Sequence, residues 1–572
     1  MKEKAKLIEE MFEKGVLVSE DFLVKEEHQE ESNTIAVEDD LLVLNSDYAD
    51  VIKQQTSLVD WYELDKQRVE VEKDRNDELY QNELQSLKKT SFVVNSPQKN
   101  QESQEISNLE TELDSENLES SFVTETEKKQ ELESGNILKL METQLTEEDN
   151  HANISQVNVT ISYENKPFKY KVKDFANIFV SRYRFLENIL RNRHELQGTM
   201  AINRVLDKKE KEAVSIIGII EEVGETKTGH IILTLEDLTG KIKVLISKNN
   251  KDLFAEAKDL IPDEVIGIVG KSGDKIIFAE KIVWPDIPGN RETKKSEVDE
   301  YALFISDIHV GSNVFLAEEF GKFITWLKGE VGNQEQREMA KKIKYIFIAG
   351  DLVDGIGIYP SQEEELNINT IDGQYKEFCK YIKEIPVEKQ IIICPGNHDM
   401  VHLAEPQPIF YKEYAPDLFE MPNVTLVTNP ALINIGKTND FSGFDVLMYH
   451  GYSFDYYVAN VETIRNNGGY HRADLIMKFL LKRRHLAPAF KSTPYFPGHK
   501  EDPLLIKTIP DIFITGHIHY SKVANYKGVT MISGSCWQAK TAFQEKLGHE
   551  PEPGRVPVVN LKTRKIKILK FI

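Results

Sequence analysis

Cysteine is scarce in this chain: Cys379, Cys394 and Cys536 are the only three in 572 residues. None belongs to a CxxC pair, which excludes a zinc ribbon. Three scattered thiols build no disulfide framework, so a reducing, cytoplasmic setting is expected. No run of about 18 apolar residues exists, and no segment is expected to span a membrane. The first residues, MKEKAKLIEEMFEKG, form a charged helical pattern without the apolar stretch of a signal peptide. An excess of positive charge is missing too. The net charge of −23 argues against a chain that holds nucleic acid by its own bulk charge, but not against a nuclease whose partner supplies the basic surface.

The acidity is uneven. Between 101 and 150 about 15 Asp and Glu stand against about 3 Lys and Arg, and such a stretch buries too little apolar surface to offset its ordering entropy. Residues 65–155 therefore read as an acidic disordered linker. It follows a small N-terminal helical module over 1–64, where Leu7, Ile8, Met11 and Phe12 recur at helical spacing before Gly15. Residues 156–204 read as a strand/helix connector. VNVTISYE alternates like a strand, and Phe175, Ile178, Phe179, Leu186, Ile189 and Leu190 mark one helical face. Arg182, Arg184, Arg191 and Arg193 lie on the same helix, as a solvated face or one turned to phosphate or a partner. Over 205–288 five short strands follow one another, with turn signals at 227–229, 239–240 and 270–273. From 289 to 572, strand-like apolar runs separated by helical stretches predict a layered α/β fold.

Five of those late runs end in polar clusters. YALFIS runs into Asp307 and His309, KYIFIA into Gly350-Asp351, QIIICP into Gly396-Asn397-His398-Asp399, DVLMY into His450-Gly451, and DIFIT into Gly516-His517-Ile518-His519. Ligands of open α/β sheets bind at the carboxyl ends of strands, so these clusters are expected to converge. Carboxylate, imidazole and amide groups are what a pair of divalent ions needs, and such a pair activates phosphodiesters toward hydrolysis. In an extended segment Asp307 and His309, at i and i+2, face one way, as do His517 and His519. The neighbouring glycines let the backbone turn and keep side chains out of the metal pocket.

The order DxH, GD, GNHD, HG, GHxH resembles the calcineurin-like metallophosphoesterase superfamily. The strings ISDIHVGS, IAGDLVDGIGIYP, PGNHD, PQPIFYKEYA, KRRHLAP, GHIHYS, WQAKTAFQ and RVPVVNL are similar, more narrowly, to the small subunits of archaeal family-D DNA polymerases. That resemblance implies a four-layer metallophosphoesterase, a β-sandwich flanked by helices, over 289–572, with an OB-fold barrel over 205–288. It implies that Asp307, His309 and His519 hold one metal, that Asn397, His450 and His517 hold the other, and that Asp351 bridges them. His398 would assist the leaving group, with Asp399 orienting its ring. It further implies two divalent ions, Mn²⁺ foremost, a 3′-to-5′ proofreading exonuclease acting on single-stranded or primer-template DNA, and a heterodimer with a large polymerase subunit. An inert scaffold subunit and a stand-alone metallophosphodiesterase are the competing readings.

Four further features stay open on sequence grounds. Lys482, Arg483 and Arg484 form a basic run, either a solvated face or a guide for the DNA backbone. The barrel's few aromatics, Phe254, Phe278 and Trp284, leave DNA contact and subunit docking as alternatives. Trp537 and Phe543 suit a partner interface or a core. Finally, Gln55, Leu58, Trp61 and Tyr62 fit the QxxLxxWY form of a sliding-clamp peptide, or else a helix of the N-terminal module. If they form a clamp peptide, Trp61→Ala with Tyr62→Ala abolishes capture of the chain by the immobilised clamp. Undiminished capture rules the peptide out.

Overall fold

The computed structural model of the chain describes residues 157–163, 169–208, 211–546 and 548–572, together with a parallel pair of two-residue strands, Leu17–Val18 and Val43–Leu44. That pair belongs to a unit over Met1–Leu145; the rest of the description concerns the second unit, Thr146–Ile572. The expected helix of the first module, the linker over 65–155 and the clamp-peptide candidates Gln55, Leu58, Trp61 and Tyr62 lie outside the described residues.

In the second unit the chain runs through β1 (Asn158–Ile161) and α1 (Val172–Arg191) into five barrel strands. These are β2 (Ala213–Glu225), β3 (Ile231–Asp237), β4 (Gly240–Ile246), β5 (Val265–Ser272) and β6 (Ile276–Val283), with α2 (Lys251–Ala257) between β4 and β5. Their order is β2-β3-β4-β6-β5, closed by antiparallel pairing of β5 with β2. Alternating Ile, Leu and Val fill the barrel, for example Leu233, Leu235, Ile242, Val244 and Ile268. Closure leaves no unpaired sheet edge.

Beyond it lie β7 (Tyr301–Ile305), α3 (Ala317–Leu327), α4 (Gln334–Lys342), β8 (Ile343–Ala349), α5 (Ile371–Lys383), β9 (Gln390–Cys394), β10 (Val424–Leu426), β11 (Ala431–Ile435), β12 (Phe444–Met448), α6 (Phe454–Asn460), α7 (Ala473–Arg483), β13 (Ile512–Thr515), β14 (Lys522–Tyr526), β15 (Val529–Ser533), α8 (Ala542–Lys546), β16 (Arg555–Asn560) and β17 (Ile566–Lys570). Two six-stranded sheets result, β10-β9-β8-β7-β16-β17 and β14-β15-β13-β12-β11-β1. Strands β7 to β10 are mutually parallel, and so are β12, β13 and β15. The sheets face each other across Phe304, Phe347, Ile392, Ile433, Val446 and Ile514. The outer face of the first sheet is covered by α3 and α5, through residues such as Phe320, Phe323 and Phe378. The outer face of the second is covered by α6 and α7, through Tyr457, Ile476 and Leu480. A strand covered on both faces must be apolar throughout, which is why YALFI, IKYIFIA and QIIIC read as near-continuous runs. The architecture is a β-sandwich between helical layers.

A strand and a helix stand within 156–204, as β1 and α1. Strand β1 completes the second sheet at its edge beside β11, and α1 packs on the barrel through Tyr183, Leu186 and Leu190. The arginine readings need correction. Arg182 is fully buried: its Nε pairs with Asp502 at 2.7 Å, and its Nη1 donates to the carbonyls of Pro488 and of Asp263, just before β5. Arg184 and Arg191 stay on the exposed side of α1, the latter paired with Glu187, and Arg193 donates to the Asp286 carbonyl. The basic run that ends α7 is likewise an internal joint. Lys482 Nζ lies 3.5 Å from the centroid of the Trp284 ring. Arg483 pairs through Nε with buried Glu264 of the barrel at 2.7 Å and donates to the Asp259 carbonyl. Arg484 donates to the carbonyls of Ile506 and Lys507. Buried on the barrel and its own loops, Arg483 and Arg484 neither form a solvated face nor reach a DNA backbone. Trp537 is core, packed on Phe320 and Phe323. Cys379, Cys394 and Cys536 are buried and unpaired.

Removing one partner of a buried pair strands the other charge, at about 3–5 kcal/mol. Arg483→Ala should therefore lower the urea midpoint strongly, whereas Arg184→Ala, on the exposed side of α1, should leave it nearly unchanged. Equal midpoints for the two variants would refute the joint.

Candidate metal centre

The polar clusters stand where β7, β8, β9, β12 and β13 end, so one site gathers loops from both sheets. The loops are cross-tied by their backbones. The amides of Ile308 and His309 donate to the Asp351 carbonyl (2.7 and 3.1 Å), and Gly516 N donates to the His450 carbonyl (2.8 Å). Glycine is required at two points. A Cβ on Gly396 would lie 2.2 Å from Asp351 Oδ1, and one on Gly516 would lie 2.6 Å from Asp307 Oδ2.

One expectation about local geometry fails instructively. Asp307 and His309 do not share a face through an extended segment. Asp307, His309, Asp351, His517 and His519 all have positive φ, between 52° and 72°. Left-handed backbone costs a non-glycine residue of order 1–3 kcal/mol, and the packed strands behind these loops hold it in place. The backbone coils at the ends of β7 and β13, and this coiling turns the side chains inward.

Inside, His309 Nε2 stands 3.0 Å from His519 Nε2, which is 3.5 Å from Asp307 Oδ1. A second group forms around Asn397 Oδ1, with His450 Nε2 at 3.0 Å and His517 Nδ1 at 2.9 Å. Asp351 Oδ2 lies between the groups, 3.2 Å from His450 Nε2 and 3.9 Å from His309 Nε2. The structure thus gathers all seven sequence-predicted ligands, including Asp307, His309 and His519 in one cluster of possible metal-holding atoms and Asp307, Asp351 and His450 in another.

Proton placement tests whether these residues fit a metal. His309 Nδ1 faces the Asp354 carboxylate (3.1 Å), His450 Nδ1 the Ala349 carbonyl (2.7 Å) and His517 Nε2 the Asp455 carboxylate (3.0 Å). Each of those oxygens can only accept, so the far nitrogen of each ring carries the proton and the inward nitrogen presents a lone pair. These lone pairs converge with the Asp351 and Asp307 oxygens, and only cations reconcile so many electron-pair donors at this spacing. The donors are nitrogen and oxygen without thiolate, which suits divalent first-row ions. Without a metal the site demands protons instead. Burial disfavours the His450 cation, but Asp351 outweighs it and lifts the imidazole to about 10.

Asp399 has a different task from the one expected. It does not touch the His398 ring. Its carboxylate accepts from the backbone N–H groups of Asp351, Leu352 and Gly396 and from the Tyr375 hydroxyl, which fastens the β8 and β9 loops together. Burial, with Asp351 nearby, raises its carboxyl to about 7. The His398 ring is held instead by the Asp354 carbonyl, 2.7 Å from Nδ1, and burial lowers its pKa.

Sequence reasoning missed three supporting residues. Asp354, fully buried, holds His309 and accepts from Gln362 and Gln538. Asp455 holds His517, and the Gln544 amide meets His519 Nδ1 at 3.0 Å. A signal for Asp354 was present, because it is the second carboxylate of GDLVDG. Gln544 ends the string WQAKTAFQ, whereas Asp455 stands in no motif and is brought in by folding alone.

The site and the sandwich define a class: the calcineurin-like phosphoesterase family model matches residues 302–521. Whole-chain comparison is narrower. The chain is 39% identical over 401 residues to the DNA polymerase II small subunit of Methanothermobacter thermautotrophicus, covering 70% of this chain and 80% of that one. It is 42% identical over 389 residues to the Archaeoglobus fulgidus small subunit, covering 68% and 75%. With the Pyrococcus furiosus small subunit it shares 38% over 405 residues, spanning 64% of that longer chain. The chain belongs to the family of archaeal DNA polymerase II small subunits.

Carboxylates behind metal-binding imidazoles typically contribute 10–100-fold to metal affinity. Asp354→Asn should weaken binding of Mn²⁺ or Zn²⁺ by about that factor in a chelator-competition titration, with circular dichroism unchanged. Unaltered affinity would remove Asp354 from the metal centre.

Proposed function

We propose that this chain is the metal-dependent 3′-to-5′ exonuclease of a heterodimeric replicative DNA polymerase, removing unpaired 3′ ends for a large polymerase subunit. The observation that carries the reading is Asp351, a carboxylate set between two groups of inward-facing ligand atoms, in a member of a polymerase-subunit family. Asp307, His309 and His519 would hold one ion and Asn397, His450 and His517 a second, with Asp351 shared; Mn²⁺ is the ion to test first. Ions held there would supply neutralisation of the phosphate charge and a nucleophile at neutral pH.

The chain's own residues have separable tasks in this reading. Asp354 and Asp455 fix the tautomers of His309 and His517. Asp399 fixes the loops. His398, tethered at Nδ1, offers Nε2 to the cleft and, when protonated, serves the leaving 3′ oxygen as general acid. We read the barrel as an OB-fold. Its largest aromatic, Trp284, is buried under Lys482, which favours docking over strand binding. The large subunit is the partner, and the N-terminal peptide with Trp61 and Tyr62 remains the clamp candidate.

The test uses single-stranded DNA labelled at its 5′ end, with Mn²⁺. The expected result is a ladder of 3′-shortened products, lost in Asp351→Ala and His450→Ala. His398→Ala should lower kcat by about 10²–10⁴ with metal content unchanged. Turnover of only a small chromogenic diester would identify a stand-alone phosphodiesterase, and inactivity both alone and with the large subunit an inert scaffold.

A further inference from the structure

The metal centre opens into a cleft of about 930 Å³. Among the described residues lining it there is no lysine and no arginine. Apart from its metal-holding groups, the cleft offers a bound ester mostly apolar and aromatic surface. Ile356, Ile358, Met400 and Leu403 are exposed along it. Beside them the rings of Tyr359 and Phe543 stack, with centroids 5.0 Å apart and planes 17° from parallel.

The stack is registered on the metal centre from both sides. Tyr359 belongs to the loop that begins at Asp354, the residue holding His309 and His398, and its hydroxyl donates to Glu365 Oε2 at 3.0 Å. Phe543 lies in α8 directly before Gln544, which touches His519. Phe543 keeps 38% of its surface exposed and Tyr359 is half-buried, so the pair retains ring surface toward the cleft. A soluble protein gains nothing from an open aromatic stack beside a phosphoester site unless something planar covers it.

We propose that Tyr359 and Phe543 form the stacking platform for the nucleobase of the nucleotide being removed, and so select an unpaired 3′ end. The proposal rests on the exonuclease reading above. A base within a duplex already has its faces occupied, whereas a frayed or single-stranded terminal base can add to the stack. Stacking tolerates all four bases because each has a π-face. With no lysine or arginine among the described residues lining the cleft, base contact takes the part that phosphate contacts play elsewhere.

The test compares two single strands labelled at the 5′ end, one ending in a normal 3′ nucleotide and one in a 3′ abasic (tetrahydrofuran) residue. The full chain is assayed alone and with its large subunit. The unaltered chain is expected to favour the normal end by about tenfold in kcat/KM, the range of one base–aromatic contact. Phe543→Ala and Tyr359→Ala should raise KM for the normal end to near the abasic value, leaving kcat and abasic turnover unchanged. Phe543→Trp and Tyr359→Phe should restore the preference. Equal use of both ends by the unaltered chain, or a preference that survives both alanines, overturns the platform while leaving the exonuclease reading intact. Release from neither strand overturns both.

Discussion

The site depends on the placement of one carboxylate. Asp351 Oδ2 lies within 4 Å of imidazoles carried by both sheets, while Oδ1 accepts the His398 amide. Anionic oxygen so close to inward lone pairs is unfavourable without cations, and the surrounding structure is what keeps the groups from separating. Asp399 pins the β8 and β9 loops together, the carbonyls of Asp351 and His450 tie neighbouring loops, and five ligand residues are locked into left-handed backbone. The sandwich core of Phe304, Phe347 and their neighbours supplies the rigidity for that strain.

Much of this was legible in the sequence because each ligand cluster follows an apolar strand at a fixed offset. The polar clusters could be named from residue type and position, the resemblance to metallophosphoesterases singled out seven of their residues as metal-holding candidates, and the layered fold followed from apolar runs separated by helical stretches. What failed was whatever depends on a partner distant in the chain. Arg182 and Asp502 are 320 residues apart, and Arg483 and Glu264 are 219 apart. A basic residue on an amphipathic helix reads as solvated unless its buried counter-charge is known. Asp399 was misassigned for a related reason. Adjacency to His398 in GNHD suggested a side-chain contact, whereas the chain turns so that its carboxylate faces amides. The i, i+2 argument reached the right convergence through the wrong backbone, since coiling replaced extension.

The buried arginines also change how the unit is understood. Arg182 bonds to α1's neighbours in both the barrel and the sandwich, and Arg483 spans from α7 to the barrel wall. Burying an ion pair is weak evidence of stability in itself, but these pairs are geometrically demanding and fix how the barrel is seated on the sandwich. The barrel is therefore part of the platform that shapes the second sheet's helical cover.

In the exonuclease reading, a cleft with no lysine or arginine among its described lining residues has a consequence for turnover as a cycle. Cutting a phosphodiester leaves a monoester that carries an additional negative charge at neutral pH. Side-chain cations around such a site would hold that product more tightly than the substrate and slow its escape. Here the described lining beyond the metal-holding groups is apolar, aromatic, neutral polar or acidic, and includes Gln538, Thr541, Asp354 and Asp455. In that reading the charge added by cleavage would be held by the ions of the metal centre alone, so escape of the product would follow how firmly those ions bind it, not any lysine or arginine of the described lining.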